Sequence, residues 1–173
     1  MNLVDHIRTI PDFPKPGILF YDITTLLQHV DAFKETIWQL TEAVKEWEPI
    51  DLIVAPEARG FFFAAPLALE LGAGLIPVRK PGKLPYTTVA KSYDLEYGSN
   101  MIQIHSDAVA PGKRVLLLDD LLATGGTVEA CRQLVEELGG QVVGAAFIME
   151  LLSLEGRKKI RTPNIKSLLQ FEY

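Results

Sequence analysis

Four aliphatic residues, Val115-Leu116-Leu117-Leu118, run without interruption into Asp119 and Asp120, and then into Leu121-Leu122-Ala123-Thr124-Gly125-Gly126-Thr127. A continuous apolar run bounded by turn residues is the pattern of a strand buried on both faces. After the loop the period changes. Val128, Cys131, Leu134, Val135 and Leu138 recur at helical spacing and stop at Gly139-Gly140, and Val142 to Met149 is a further buried strand. The same grammar appears earlier. Asp51 to Ala55 predicts a strand, Gly60 to Leu71 a helix kinked at Pro66 and closed by Gly72, and Leu75 to Val78 the next strand. Two strand–helix–strand units predict an open, mainly parallel twisted sheet flanked by helices, the α/β class.

The rest of the pattern fits around that frame. Asn2 to Thr9 predicts a short helix stopped by Pro11. Asp31 predicts the cap of a helix reaching about Trp47, with Phe33, Ile37, Leu40, Val44 and Trp47 on its buried face and His29 left on the surface. Ser153 to Ile160 predicts a short basic helix, and Ile165 to Tyr173 a closing edge strand. No repeat or linker interrupts the 173 residues, so the expectation is one domain over 1–173.

Two stretches break the periodicity. Pro11-Asp12-Phe13-Pro14-Lys15-Pro16-Gly17 is too rich in proline for regular structure and forms a stiff leader within residues 1–30. It delivers Ile18-Leu19-Phe20-Tyr21-Asp22-Ile23-Thr24, which reads equally as an edge strand over the core or as a wall for a flat heteroaromatic ring. The second is Arg79 to Lys91, long for a connection in a compact domain. It leads to Ser92–Tyr97 and Met101–Ser106, two arms of a predicted hairpin around Gly98-Ser99-Asn100, with Ile102 and Ile104 alternating with Gln103 and His105. Residues 79–106 together read as a flexible lid.

Composition narrows the function. A hydrophobic fraction of 48% with 23% charged residues is that of an ordinary globular domain, and no apolar run approaches the roughly 18 residues of a membrane span. One cysteine, Cys131, excludes an internal disulfide and fits a reducing cytoplasm. A net charge of −5 argues against a broad nucleic-acid surface. Any polyanion must meet a local positive patch, and Arg59, Arg79, Lys80, Lys83 and Lys91 supply one.

Residues 115–127 carry the chemistry. Ligands of open parallel sheets sit at the carboxyl ends of the strands. There, Ala123 to Thr127 offer backbone N–H groups at a helix start, with the hydroxyls of Thr124 and Thr127 beside them, which is a cradle for phosphate. Two acids beside an anion site make sense if the ligand also carries hydroxyls or a bound cation. Neither the common phosphate loop nor the dinucleotide fingerprint is present. The loop from Pro56 to Gly60 lies at another strand end and brings Arg59 to a helix start, a second anion site or a surface arginine.

The 115–127 stretch resembles the phosphoribosyl-diphosphate (PRPP) motif of the type I phosphoribosyltransferase family. The resemblance extends to Phe13-Pro14 through Asp22-Ile23, Glu57-Ala58-Arg59-Gly60-Phe61, Arg79-Lys80-Pro81-Gly82-Lys83-Leu84-Pro85 and Tyr93-Asp94-Leu95-Glu96-Tyr97-Gly98. The Arg79–Pro85 and Leu95–Gly98 stretches resemble the members that use adenine. The family fold, and transfer of 5-phosphoribose from PRPP to adenine to give AMP and pyrophosphate, are what this resemblance implies. Rival expectations are another purine base, or a PRPP-sensing regulator without turnover.

By the resemblance, Asp119 and Asp120 hold the ribose hydroxyls, and Ala123, Thr124, Gly125, Gly126 and Thr127 hold the 5-phosphate. Glu57, Ala58, Arg59, Arg79 and Lys83 take pyrophosphate, Arg79 from the neighbouring subunit of a homodimer. Leu19, Phe20 and Tyr21 bind adenine, Phe20 by stacking and the others through backbone groups. Glu96 and Arg59 are the catalytic residues, Glu96 as acid/base near N7. Mg2+ is implied through PRPP, pyrophosphate and water, with no protein metal cluster. The family often has arginine where this chain has Tyr21. The 57–59 loop of the family often carries a non-proline cis peptide.

Overall fold

A computed structural model describes residues 1–94 and 98–172. Its frame is a parallel sheet of five strands, β3 (Leu52–Pro56), β4 (Gly74–Val78), β7 (Arg114–Leu122), β8 (Gln141–Leu151) and β9 (Ile165–Phe171), in the order β4-β3-β7-β8-β9. Helix α3 (Gly60–Leu71) joins β3 to β4, and α4 (Gly126–Glu137) joins β7 to β8. The two units wind outward in opposite directions from the β3–β7 seam. That seam is a topological switch point, and loops leaving its carboxyl end part to form a crevice.

Both faces of the sheet are covered. Along β7, Leu116 and Leu118 belong to a core with α3 and α2 (Val30–Val44). Val115 and Leu117 belong to a second core with α4 and the 102–109 region. This alternation of side chains across the pleat explains the unbroken apolar run. Gly144 in β8 admits Trp47, because a Cβ there would come within 2.6 Å of the indole ring.

Several boundaries differ from the sequence expectations. The amino terminus is a 3-10 turn, Leu3–His6, followed by strand β1 (Arg8–Pro11), which pairs antiparallel with β2 (Leu19–Asp22). A helix through Thr9 would have left β2 without a partner. Helix α1 (Thr24–Gln28) follows. His29, not Asp31, caps α2: its Nδ1 accepts the Ala32 N–H at 3.3 Å. Two 3-10 turns, Leu152–Leu154 and Gly156–Lys158, replace the expected basic helix, because Glu155 takes a left-handed conformation between them. The hairpin arms are β5 (Thr88–Asp94) and β6 (Ser99–His105), so 88–91 are strand rather than loop. Burial of Ile102 and Ile104 against the second core fixes that register. The expected edge strand is present as β9, and Pro66 lies inside α3.

Candidate active site at the carboxyl edge of the sheet

Strand β7 does not end before its acids but runs through Asp119 and Asp120 to Leu122. Asp120 is 3% exposed, and its Oδ2 lies 2.9 Å from Arg59 Nε. This is a contact ion pair: among the described residues no aligned hydrogen bond reaches that oxygen. Asp119 Oδ1 accepts the Asp120 N–H at 2.9 Å. Burial, and then repulsion from Asp120, push the Asp119 carboxyl well above the usual carboxylate range. Burial also raises Asp120, against the opposing pull of Arg59. Gly60 lets α3 begin directly against this pair, since a Cβ there would sit 2.9 Å from Asp119 Oδ1.

Beyond the acids the chain turns through Gly125, at φ +82°, into the amino terminus of α4. Residues 121–128 with Asp119 enclose a small hollow of about 70 Å³. Thr127 Oγ1 donates to the Tyr93 hydroxyl at 3.2 Å, which ties the hairpin to this loop.

On the β3 side, the Glu57–Ala58 peptide is cis. Glu57 turns its carboxylate toward the root of the 79–87 segment, accepting the Lys80 N–H at 2.6 Å and lying 3.5 Å from Arg79 Nε of the same chain. The Glu57 N–H donates to Val78 O at 2.9 Å. The two strand ends meet around a cavity of about 270 Å³, lined among others by Ala58, Arg59, Lys80, Asp119, Asp120 and Thr127.

The third wall is β2. Phe20 is half-buried, edge-on to Phe13 at 5.0 Å, and the Arg59 guanidinium carbon stands 5.6 Å from its ring centre. Tyr21 faces the other way, stacked on Phe171 at 4.3 Å in the core. Its side chain therefore anchors the strand, and only its backbone is available to a ligand.

The structure thus brings Ala58, Arg59, Asp119, Asp120 and the 123–127 loop together, with Phe20 beside Arg59. Lys83 is exposed and does not line the cavity, and Leu19 opens onto a separate shallow hollow with Pro11 and Asp12. Glu96 lies outside the described residues. Tyr93 and Ile102 line the cavity without a role expected of them, and Lys80, a member of the expected positive patch, lines it as well. Lys80 was visible as a charge, but its turn toward the site depends on the bridge between Arg79 and Gln103. Among the described residues, no cluster of three or more His, Cys, Asp or Glu could hold a metal.

An acid pair, an N–H-rich turn and an arginine loop meeting at a parallel-sheet switch point define a site for a phosphorylated sugar. The sequence matches the phosphoribosyl transferase domain over residues 22–171, and the chain belongs to that family. Relatives within the family include adenine phosphoribosyltransferases. That of Kosmotoga olearia is 54% identical, covering 99% of this chain and all of its own. The crystal structure of the Thermoanaerobacter pseudethanolicus enzyme is 53% identical, with a TM-score of 0.95 over 98% of this chain and 100% of its own. The Saccharomyces cerevisiae enzyme, solved with adenine and an imino-altritol bisphosphate, is 40% identical, with a TM-score of 0.88 over 94% of each chain.

Proposed function

We infer that this chain transfers the 5-phosphoribosyl group from PRPP to adenine, giving AMP and pyrophosphate. The observation that carries the reading is the meeting of Arg59 with Asp120, which closes the 57–60 and 119–127 loops into one crevice. In it, Asp119 and Asp120 accept the ribose hydroxyls, and residues 123–127 hold the 5-phosphate at the start of α4. Pyrophosphate lies against Ala58 and Arg59, with Lys80 supplying further positive charge. Glu57 contributes by holding the segment that carries Arg79 and Lys83. Phe20 covers one face of adenine, and the backbones of Leu19 and Tyr21 meet its edge.

The step is a displacement at ribose C1. The bond to pyrophosphate breaks, adenine N9 attacks, and positive charge develops on the sugar. The chain contributes position and electrostatics rather than a covalent intermediate. Glu96, near N7, moves the proton of the base. Residues 79–106 close over the reactants and exclude water. Mg2+ fits as a companion of PRPP: the donor set here is an acid pair beside an anion cradle, so the ion would be held through PRPP or pyrophosphate and water. When bound, it neutralises charge on the leaving group.

A homodimer completes the reading. Phe62, Ala65 and Leu69 form an exposed apolar stripe on α3 opposite its buried face, with Phe62 49% and Leu69 84% exposed. A helix apolar on both sides requires cover on both. A second copy supplies it and brings Arg79 toward the neighbouring site. No helix among the described residues is long and apolar enough to cross a membrane. Cys131 is free and buried, which fits a reducing cytoplasm.

The deciding experiment is incubation with PRPP, Mg2+ and adenine, followed by detection of AMP and pyrophosphate, with hypoxanthine, guanine and xanthine in parallel. Turnover only with another base would replace the substrate. PRPP binding without turnover on any base would make the chain a sensor.

A further inference from the structure

A turn remote in sequence forms the floor of the 123–127 loop. A Cβ on Gly125 would stand 2.5 Å from Gly156 O and 3.2 Å from Ile160 Cγ1. Reciprocally, a Cβ on Gly156 would overlap Ala123 O and come within 2.7 Å of Leu122 Cδ1. The two backbones interlock with no side chain between them. Any displacement of the turn is therefore passed directly to the loop.

The turn is fixed at both ends by buried charge. Arg157 grips Glu150 with both arms of its fork, Nε to Oε1 at 2.6 Å and Nη2 to Oε2 at 2.7 Å. The same guanidinium donates to Ile165 O at 2.9 Å and Ser167 Oγ at 3.0 Å. Ser167 Oγ in turn donates to Glu150 Oε2 at 2.5 Å. Glu150 is 2% exposed near the end of β8. Burial raises its carboxyl, but Arg157 and Ser167 overcome this and hold it below its ordinary value. At the far end, the Arg161 N–H donates to Glu129 Oε2 at 2.9 Å. Glu129 is 7% exposed in the first turn of α4, the helix that the loop opens, and is itself held by Arg132.

We propose that Glu150 and Arg157 are positioning residues for PRPP, setting the 5-phosphate loop through the contact of Gly156 with Gly125 and Ala123. The inference rests on the reading of 123–127 as the 5-phosphate loop. With Glu150 buried and the Arg157 side chain 39% exposed, the pair is a poor source of net stability compared with apolar packing, but its bidentate geometry fixes orientation. Lysine cannot reproduce that fork.

The test is steady-state kinetics of Arg157→Lys, Glu150→Gln, Ser167→Ala and Gly156→Ala, with both substrates varied. Each variant is expected to raise KM for PRPP, by about tenfold or more for Arg157→Lys and Gly156→Ala, with KM for adenine unchanged. Ser167→Ala removes one hydroxyl from the clamp and keeps the test open if the stronger variants do not fold. Wild-type turnover of PRPP with adenine checks the underlying reading separately. If the wild type turns over and folded variants leave KM for PRPP unchanged, the positioning role is overturned. It is equally overturned if both KM values rise together in step with a fall in Tm.

Discussion

Arg59 Nε lies 2.9 Å from Asp120 Oδ2, although 61 positions separate them in the chain. The same guanidinium stands 5.6 Å from the Phe20 ring centre. One cation therefore faces both the buried Asp120 and the Phe20 ring, and it opposes the effect of burial on Asp120.

The sign of its removal follows. Without Arg59, the largest opposition to burial is lost, leaving only the hydrogen bonds from Asp119 and the Asp120 and Leu121 backbone, and the Asp120 carboxyl rises further above the usual range. If Asp120 accepts the ribose hydroxyls as proposed, binding needs the carboxylate, and the acidic limb of kcat/KM for PRPP against pH shifts to higher pH in Arg59→Ala. At neutral pH the loss is about a hundredfold or more. A lower rate with an unmoved acidic limb would confine Arg59 to the pyrophosphate.

The Phe20 ring stands beside Arg59 at the crevice, whereas the Tyr21 ring is stacked on Phe171 in the core. Phe20→Ala is expected to raise KM for adenine by roughly fivefold to 150-fold, the range of about 1–3 kcal/mol for a base–aromatic stack, while KM for PRPP stays put. Tyr21→Phe keeps the ring stack on Phe171 and leaves KM for adenine unchanged. An unaltered adenine KM in Phe20→Ala would remove the stack.

The sequence pattern made the strands legible because burial on both sheet faces leaves unbroken runs such as Val115–Leu118 and Leu52–Ala55. It made the strand end, turn and helix start legible because Asp119 to Thr127 are contiguous. What it hid depends on distant partners. Thr88 to Lys91 are strand only because β6 lies opposite. His29 caps α2 with a ring nitrogen, a choice that cap preferences do not favour over Asp31. The stacking of the Tyr21 side chain in the core was hidden because nothing local announces Phe171 as its partner. The turn at Gly156 reads as a basic surface segment until Glu150 is found beside it.

Asp22 fixes the hairpin that carries Phe20. Its Oδ1 accepts the Thr24 N–H at 2.9 Å, and Arg8 Nη2 approaches Oδ2 at 2.5 Å. The Thr24 N–H, with Arg8 and against partial burial, holds its carboxyl below the ordinary 3.8. A depressed folded-state value stabilises above the unfolded value and is lost as pH falls through the folded one. Asp22→Asn therefore lowers stability at neutral pH by about 1 kcal/mol after solvent screening. The Tm difference from wild type closes as the solution is acidified below that carboxylate range. A difference independent of pH would assign the effect to packing.

Glu96, proposed as the acid/base group, is tested by replacement with leucine. The expected result is a fall in kcat of about a hundredfold to ten-thousandfold with PRPP affinity retained. Calorimetric titration with PRPP and Mg2+ supplies the affinity. Equal loss of turnover and affinity would make the residue part of the binding surface instead.

The proposed dimer face on α3 makes activity testable through assembly. Leu69 is 84% exposed and Phe62 49%, one face of a helix whose other face holds Phe63 and Leu67 fully buried. A charge at Leu69 leaves that inner face untouched, so Leu69→Glu is expected to fold with an unchanged Tm and to sediment as a monomer. If Arg79 serves the neighbouring site, activity falls in proportion to the dimer lost and recovers at high protein concentration. Arg79 also lies 3.5 Å from Glu57 of its own chain, so an internal role makes a distinct prediction. In that case the monomer turns over at the full rate, and the shared arginine is refuted while the dimer face stands.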